Sequence, residues 1–149
     1  MAASTAPQIK AALLTLLRAD SGLSGVQCEY SDPGDAIQQE SLFYGRTIES
    51  EQPSSYGQRK QRESYDIELY IYVATDSNDP QTCEERCWAL IARLETVVRA
   101  NNSNTGALST AMTNGAGWVA MAGITTTPFR FNGQCVTEGL CRVHVEAVK

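Results

Sequence analysis

Five cysteines and a single histidine are the residues of this chain with the greatest capacity for chemistry. Cys83 and Cys87 stand one helical turn apart, so on a helix both thiols share a face, and Cys135 or Cys141 could join them around a metal. Structural zinc, however, draws on a close cysteine pair in a loop or knuckle and on a second close pair. Here the two cysteines fall in the same apolar stripe as Leu90 and Leu94. Free cysteine behaves as a small hydrophobe, so the expectation is buried thiols with no metal and no cofactor.

Thiol catalysis would need a Cys–His pair. In the alternating stretch near the C-terminus, His144 shares a face with Arg142 and Glu146 and points away from Cys141, which reads as a lone surface histidine. Asp32, Asp35, Glu40, Glu49 and Glu51 cluster in sequence, but nothing fixes two of them at glycosidase spacing. Gly115-Ala116-Gly117 lacks the further glycines, the preceding strand and the following helix of a phosphate loop. No catalytic constellation emerges, and the chain reads as a protein that is not an enzyme.

The elements that would position these residues are organised around Arg62 to Ala100. Tyr65, Ile67, Leu69, Ile71 and Val73 alternate with Asp66, Glu68, Tyr70 and Tyr72, the period of a strand with one face on a core. The break Thr75–Pro80 ends in a helix start, with Asp79 as N-cap and Pro80 at the first helical position. Cys83, Cys87, Leu90, Ile91, Leu94, Val97 and Val98 then recur at helical spacing, and this stripe packed on that strand makes the nucleus of a two-layer domain.

Upstream, Thr5-Ala6-Pro7-Gln8 fits a capping box for a helix with Ile9, Ala12, Leu13, Leu16 and Leu17 on one side. Gly22 is placed to end it in a left-handed conformation. Val26–Tyr30 reads as a short strand closed by the turn Ser31–Asp35. Ser41–Glu49 follows as a strand, with Leu42, Tyr44 and Ile48 set against Phe43 and Thr47, and with Gly45 marking a bulge. After the long helix, Asn101–Gly106 is a loop and Ala107–Gly117 has no clear period. Trp118–Phe131 holds a strand broken around Gly123 and Pro128. Asn132-Gly133 is a hairpin turn, since both central residues of a type I′ turn need positive φ. Cys135–Val148 closes the chain with Cys141, Val143, Val145 and Ala147 on one face and Leu140, Arg142, His144 and Glu146 on the other. The fold class is therefore α+β, a mainly antiparallel sheet packed by two helices, in the order α-β-β-β-α-β-β.

At 149 residues, 42% hydrophobic and 19% charged, the sequence has the length and composition of one soluble domain, residues 1–149. No apolar run approaches the roughly 18 residues of a membrane span, and the N-terminus lacks a signal-peptide layout, so the cysteines read as reduced thiols. A net charge of −5 argues against a dedicated nucleic-acid binder. It does not exclude a protein that lets DNA pass close by.

One polar stretch has no obvious use in a monomer. Residues 51–62 carry Pro, Gly and Ser, and as a long hairpin connection they would reach roughly 15–20 Å beyond the sheet. Arg59-Lys60-Gln61-Arg62 makes this arm basic on an acidic chain, beside Tyr56. An arm of that charge suits a contact with the acidic body of a neighbouring copy. Tyr70 and Tyr72, opposite the core face, add the residue type favoured at interfaces. Tyr56, Arg59, Lys60, Arg62, Tyr70 and Tyr72 are thus the candidate interface residues.

An N-terminal amphipathic helix, Val-Gln-Cys-Glu-Tyr ending in Asp-Pro-Gly-Asp, a strand and polar arm, Arg-Glu-Ser-Tyr-Asp-Ile-Glu-Leu-Tyr-Ile-Tyr-Val, an Asp-Pro-started helix with Ala-Leu-Ile-Ala-Arg-Leu-Glu, and a closing hairpin follow one another. In element order this resembles the tail terminator proteins of long-tailed, non-contractile (siphovirus-type) bacteriophages, over nearly the whole chain. The resemblance implies a structural virion protein of the tail and neck, assembled in the host cytoplasm. It would form a hexameric ring that caps the head-proximal end of the tail tube, stops tube polymerisation and docks to the head–tail connector. Its partners would be further copies of itself, the major tail tube protein and the connector or stopper protein, with no membrane. DNA would pass through the lumen without specific binding: six copies at −5 carry −30, which repels phosphate. Other phage ring proteins, the head-completion, stopper and tube proteins, are the second reading. A small cytoplasmic enzyme or ligand-binding domain is the third.

Overall fold

Alternating side chains make strands the main material of this molecule, and the two amphipathic stripes supply the helices that cover them. The computed structural model describes residues 4–49, 55–56, 60–76, 78–102, 106–110 and 117–148. In chain order the elements are α1 (Ala6–Ala19), β1 (Gln27–Glu29), β2 (Glu40–Glu49), β3 (Ser55–Tyr56), β4 (Lys60–Thr75), α2 (Pro80–Ala100), α3 (Ala107–Thr110), β5 (Gly117–Phe131) and β6 (Gln134–Val148). Short 3₁₀ turns occupy Ser21–Leu23 and Gly34–Ala36. Apart from the small β3 and α3, this is the expected α-β-β-β-α-β-β order of an α+β fold.

The sheet runs β1-β2-β4-β6-β5, with β3 paired to β4 outside this path. All pairings are antiparallel except β1 on β2. The central β4 and β6 are in register from Arg62↔Val148 to Thr75↔Cys135. One sheet face carries Leu42, Tyr44, Tyr65, Ile67, Leu69, Ile71, Val73, Cys141, Val143 and Val145, all buried in one core with α1 and α2. All seven residues of the expected α2 stripe are buried there. Asp79 caps that helix as its sequence implies, accepting from Gln81 N at 3.1 Å and from the Thr82 hydroxyl at 2.7 Å. Asn132 at φ 50° and Gly133 at φ 76° form the β5–β6 turn.

Four details differ from the sequence reading, each for a local reason. Thr5 makes no side-chain cap to α1. Its hydroxyl is turned instead toward β4, where it donates to the Glu63 carboxylate at 2.9 Å, and so does not reach the first helical amides as an acceptor. Gly22 does not adopt positive φ: a 3₁₀ turn continues from the helix, and the glycine makes room, since a Cβ there would run into the Arg93 side chain that pairs with Asp20. In β2 the register slips between Tyr44 and Thr47, confirming a bulge at Gly45. The extra residue turns Ile48 onto the face opposite Leu42 and Tyr44, paired with Asp66.

β5 is the fourth. It is one strand of 15 residues, with a shift between Met121 and Gly123 but no break at Pro128. As an edge strand it tolerates proline, because its outward side has no ladder partner to lose. That proline, the bulge, and Asn102, whose side chain accepts from Val119 N at 2.7 Å, blunt the edge against strand addition.

Candidate assembly surface

The register of the strands puts a second set of side chains on the sheet face that no helix covers. Reading across from β2 to β5, the rows are Phe43–Tyr70–Leu140–Thr125, then Arg46 at the bulge with Glu68–Arg142, then Ile48–Asp66–His144–Ala120, and finally Ser64–Glu146–Trp118. On the far side of the first row come Ser41–Tyr72–Glu138–Thr127 and then Ala74–Val136–Phe129. The face is therefore divided. One half is an aromatic and aliphatic belt, and the other is charged.

In the belt, Tyr70 stacks on Phe43 with centroids 5.6 Å apart and planes 21° from parallel. Glycine at position 45 is what admits this ring, for a Cβ there would strike Tyr70. Tyr70, Tyr72, Phe43 and Leu140 are half-buried although no helix lies over them. Phe129 is 40% exposed and Phe131, beyond it on β5, is 59% exposed. Half-buried aromatic rings around a small polar periphery are the composition of a protein interface core. The belt thus adds Phe43, Leu140 and Phe129 to the two tyrosines named from the sequence. Sequence alternation could not reveal them, because their grouping depends on which strands are neighbours.

In the charged half, Glu68 is fully buried and held by the fork of Arg46, with N···O distances of 3.1 and 3.2 Å. The Arg46 hydrogen bonds keep its pKa below the usual carboxylate range against the opposing effect of burial. Next to it, His144 is not a free surface histidine. Its Nδ1 lies 2.6 Å from Asp66 and its Nε2 2.8 Å from Glu146, and the Ser64 hydroxyl donates to Glu146 at 2.9 Å. Trp118 packs against the imidazole at 5.3 Å between centroids. Burial alone would lower the His144 pKa, but the hydrogen bonds and charges of Asp66 and Glu146 outweigh it and raise the value. Two carboxylates therefore clamp a ring that is stabilised in its charged form. Asp66 lies opposite His144 only through the β4–β6 register, which the alternation of either strand alone does not show.

The arm is described only at its base. Tyr56 pairs with Lys60 and Ser55 with Gln61, a short antiparallel ladder joining β3 to the start of β4, and Arg62 pairs with Val148. Residues 51–54 and Arg59 lie outside the described residues. At the arm's root, buried Glu63 accepts from Thr5 N at 3.0 Å and from the hydroxyls of Ser4 and Thr5, tying the start of α1 to β4.

The cysteines lie in the core. Cys83 Sγ lies near the carbonyls of Val73 and Cys135 at 3.3 and 3.4 Å, and burial pushes the thiols of Cys87 and Cys141 up to about 12. Such thiols pack as hydrophobes and are poor nucleophiles at neutral pH. Among the described residues, no group of three or more His, Cys, Asp or Glu is placed to hold a metal, and no helix is long and apolar enough to cross a membrane.

No protein-family model matches the sequence, and no curated protein matches it. Among solved structures, a chain of the virion of a native gene transfer agent (GTA) particle matches with a TM-score of 0.64 at 13% identity. The match covers 98% of this chain and 100% of that chain. At this identity the likeness establishes a common fold, and it extends from one whole chain to the other.

Proposed function

We propose that this protein is a structural component of a phage-type virion, and specifically a tail terminator. In this role six copies close into a ring on the head-proximal end of the tail tube, halt its growth and offer the surface that docks to the head-side connector. The single observation that carries the reading is the whole-length fold match to a chain of a virion particle. The helix-free sheet face supports it, since an aromatic belt beside a charged half suits contact with another protein. On this reading DNA slides through an acidic lumen, and Tyr56, Arg59, Lys60 and Arg62 on the arm, with Tyr70 and Tyr72 on the sheet, serve contacts between subunits or with the tube.

The test is tail assembly with the arm's charge reversed. Arg59, Lys60 and Arg62 all changed to glutamate should leave the circular-dichroism melting curve of the monomer in place and yield tails of uncontrolled length that fail to join heads. Normal tails from that variant would sink the arm's role. A chain that leaves growing tubes uncapped under all conditions would exclude the terminator function itself.

A further inference from the structure

The charged half of the helix-free face contains a patch whose chemistry selects its occupant. Asp66 and Glu146 flank His144 with side chains 26% and 33% exposed, so their oxygens are held in place yet reachable from solvent. Trp118, 46% exposed, lies against the same imidazole. Asp66 and Glu146 share one ring that carries at most a single positive charge, so these three groups together stay net negative in either state of His144, beside the Arg46–Glu68–Arg142 row with its one surplus positive charge. Preorganised acids beside an exposed indole suit a guanidinium or ammonium, which pairs with carboxylate and stacks on an aromatic face.

We propose that this patch receives the arm tip, with Arg59 and Lys60, of a second copy of the chain. The inference rests on the assembly reading above and names the contact within it. Charge complementarity selects the occupant, because Arg59 and Lys60 are adjacent cations on a chain of net charge −5. Arg59 and Lys60 of the same chain are badly placed for the task. β4 is already extended at Lys60, so the Ser64–Glu146 row lies four strand steps, about 13 Å, and Asp66 six steps, about 20 Å, along the sheet from it, beyond the reach of a lysine side chain. A contact from the arm of one copy to the sheet of the next joins unlike surfaces, and such a contact closes into a ring when its rotation permits.

The experiment uses two variants of the full chain in sedimentation velocity at low salt. One carries Arg59→Glu with Lys60→Glu, and the other Asp66→Lys with Glu146→Lys. Each alone should lose self-association, by about tenfold or more in the association constant for charge-assisted contacts of this kind. An equimolar mixture should regain it, because each reversed arm then meets a reversed patch on the other variant. A mixture that stays as dissociated as its components overturns the proposal, as do variants that both assemble like the wild type. Should the doubly substituted patch fail to fold by circular dichroism, Glu146→Lys alone takes its place. A peptide of residues 51–62 titrated into the wild-type chain, read by tryptophan fluorescence, separates this contact from the ring. Binding lost in Asp66→Asn/Glu146→Gln keeps the contact even if the wild type never forms rings. Rings with no peptide binding and no response to either charge reversal keep the assembly reading and end the arm contact.

Discussion

The two faces of the sheet are built from the same strands and obey different rules. On the covered face, Ile67, Leu69, Ile71, Val143 and Val145 meet Leu90, Ile91 and Leu94 of α2 in a closed apolar layer. On the open face, the alternate residues of the same β4 and β6, with Phe43 and Arg46 of β2, form an ion pair between a buried carboxylate and an exposed guanidinium, a histidine clamped by two acids, and an aromatic belt. The covered face is explained by folding alone. The open face is over-specified for a surface that only meets water, and that excess is the physical argument for a docking role.

Cavity mutations separate the two faces most strongly. Leu94→Ala beneath α2 should cost about 2–5 kcal/mol, the range for a buried leucine, and lower the urea midpoint accordingly. It should disturb assembly only as far as it unfolds the monomer. A loss of assembly at full stability would break the division between the faces.

Glu63→Ala comes next. It removes the acceptor of three hydrogen bonds at the meeting point of α1 and the arm, and should cost about 1–3 kcal/mol by leaving buried donors unpaired. Amide exchange should accelerate at the start of α1 before the rest of the helix. Uniform acceleration along the chain would contradict a local latch.

On the open face the order of effects reverses. Tyr70→Ala loses a stacked pair worth about 0.5–1.5 kcal/mol beyond its area, so the monomer should melt only slightly earlier. Its association with other copies or with tubes should fall steeply. A monomer destabilised as much as by Leu94→Ala would show that the belt belongs to the core.

The smallest effect is the pH dependence of His144. Its folded pKa lies above the ordinary value of 6.5. The stability it contributes is thus fully present below about pH 6.5 and is lost as pH rises through the folded value. The difference in melting temperature between wild type and His144→Gln should accordingly shrink between pH 6 and the alkaline side of that raised value. A difference that grows with pH would show that the ring is held neutral.

How far the sequence exposes this arrangement follows from the range of each interaction. The α2 stripe, the Asp79 cap, the Asn132-Gly133 turn and the alternation of β4 and β6 are local patterns, and the residues themselves carry them. The His144 clamp, the Phe43–Tyr70 stack and the Glu63 latch join residues far apart in the chain, and only strand order and register bring them together. Thr5 and Ile48 show how a non-local event redirects a local signal: a buried carboxylate takes the capping hydroxyl, and one bulged residue reverses a face. Tyr70 and Tyr72 were legible as interface candidates because large residues at polar positions of an alternating strand demand a reason. Phe43 and Leu140 gave no such signal.

The proposed terminator role is tested by the mass of the purified chain in light scattering across a concentration series, with negative-stain images of the same sample alone and with growing tail tubes. Six-fold rings are expected, either free in solution or seated on tube ends whose growth then stops. A chain that remains monomeric at every concentration and neither binds tube ends nor halts their growth would contradict it.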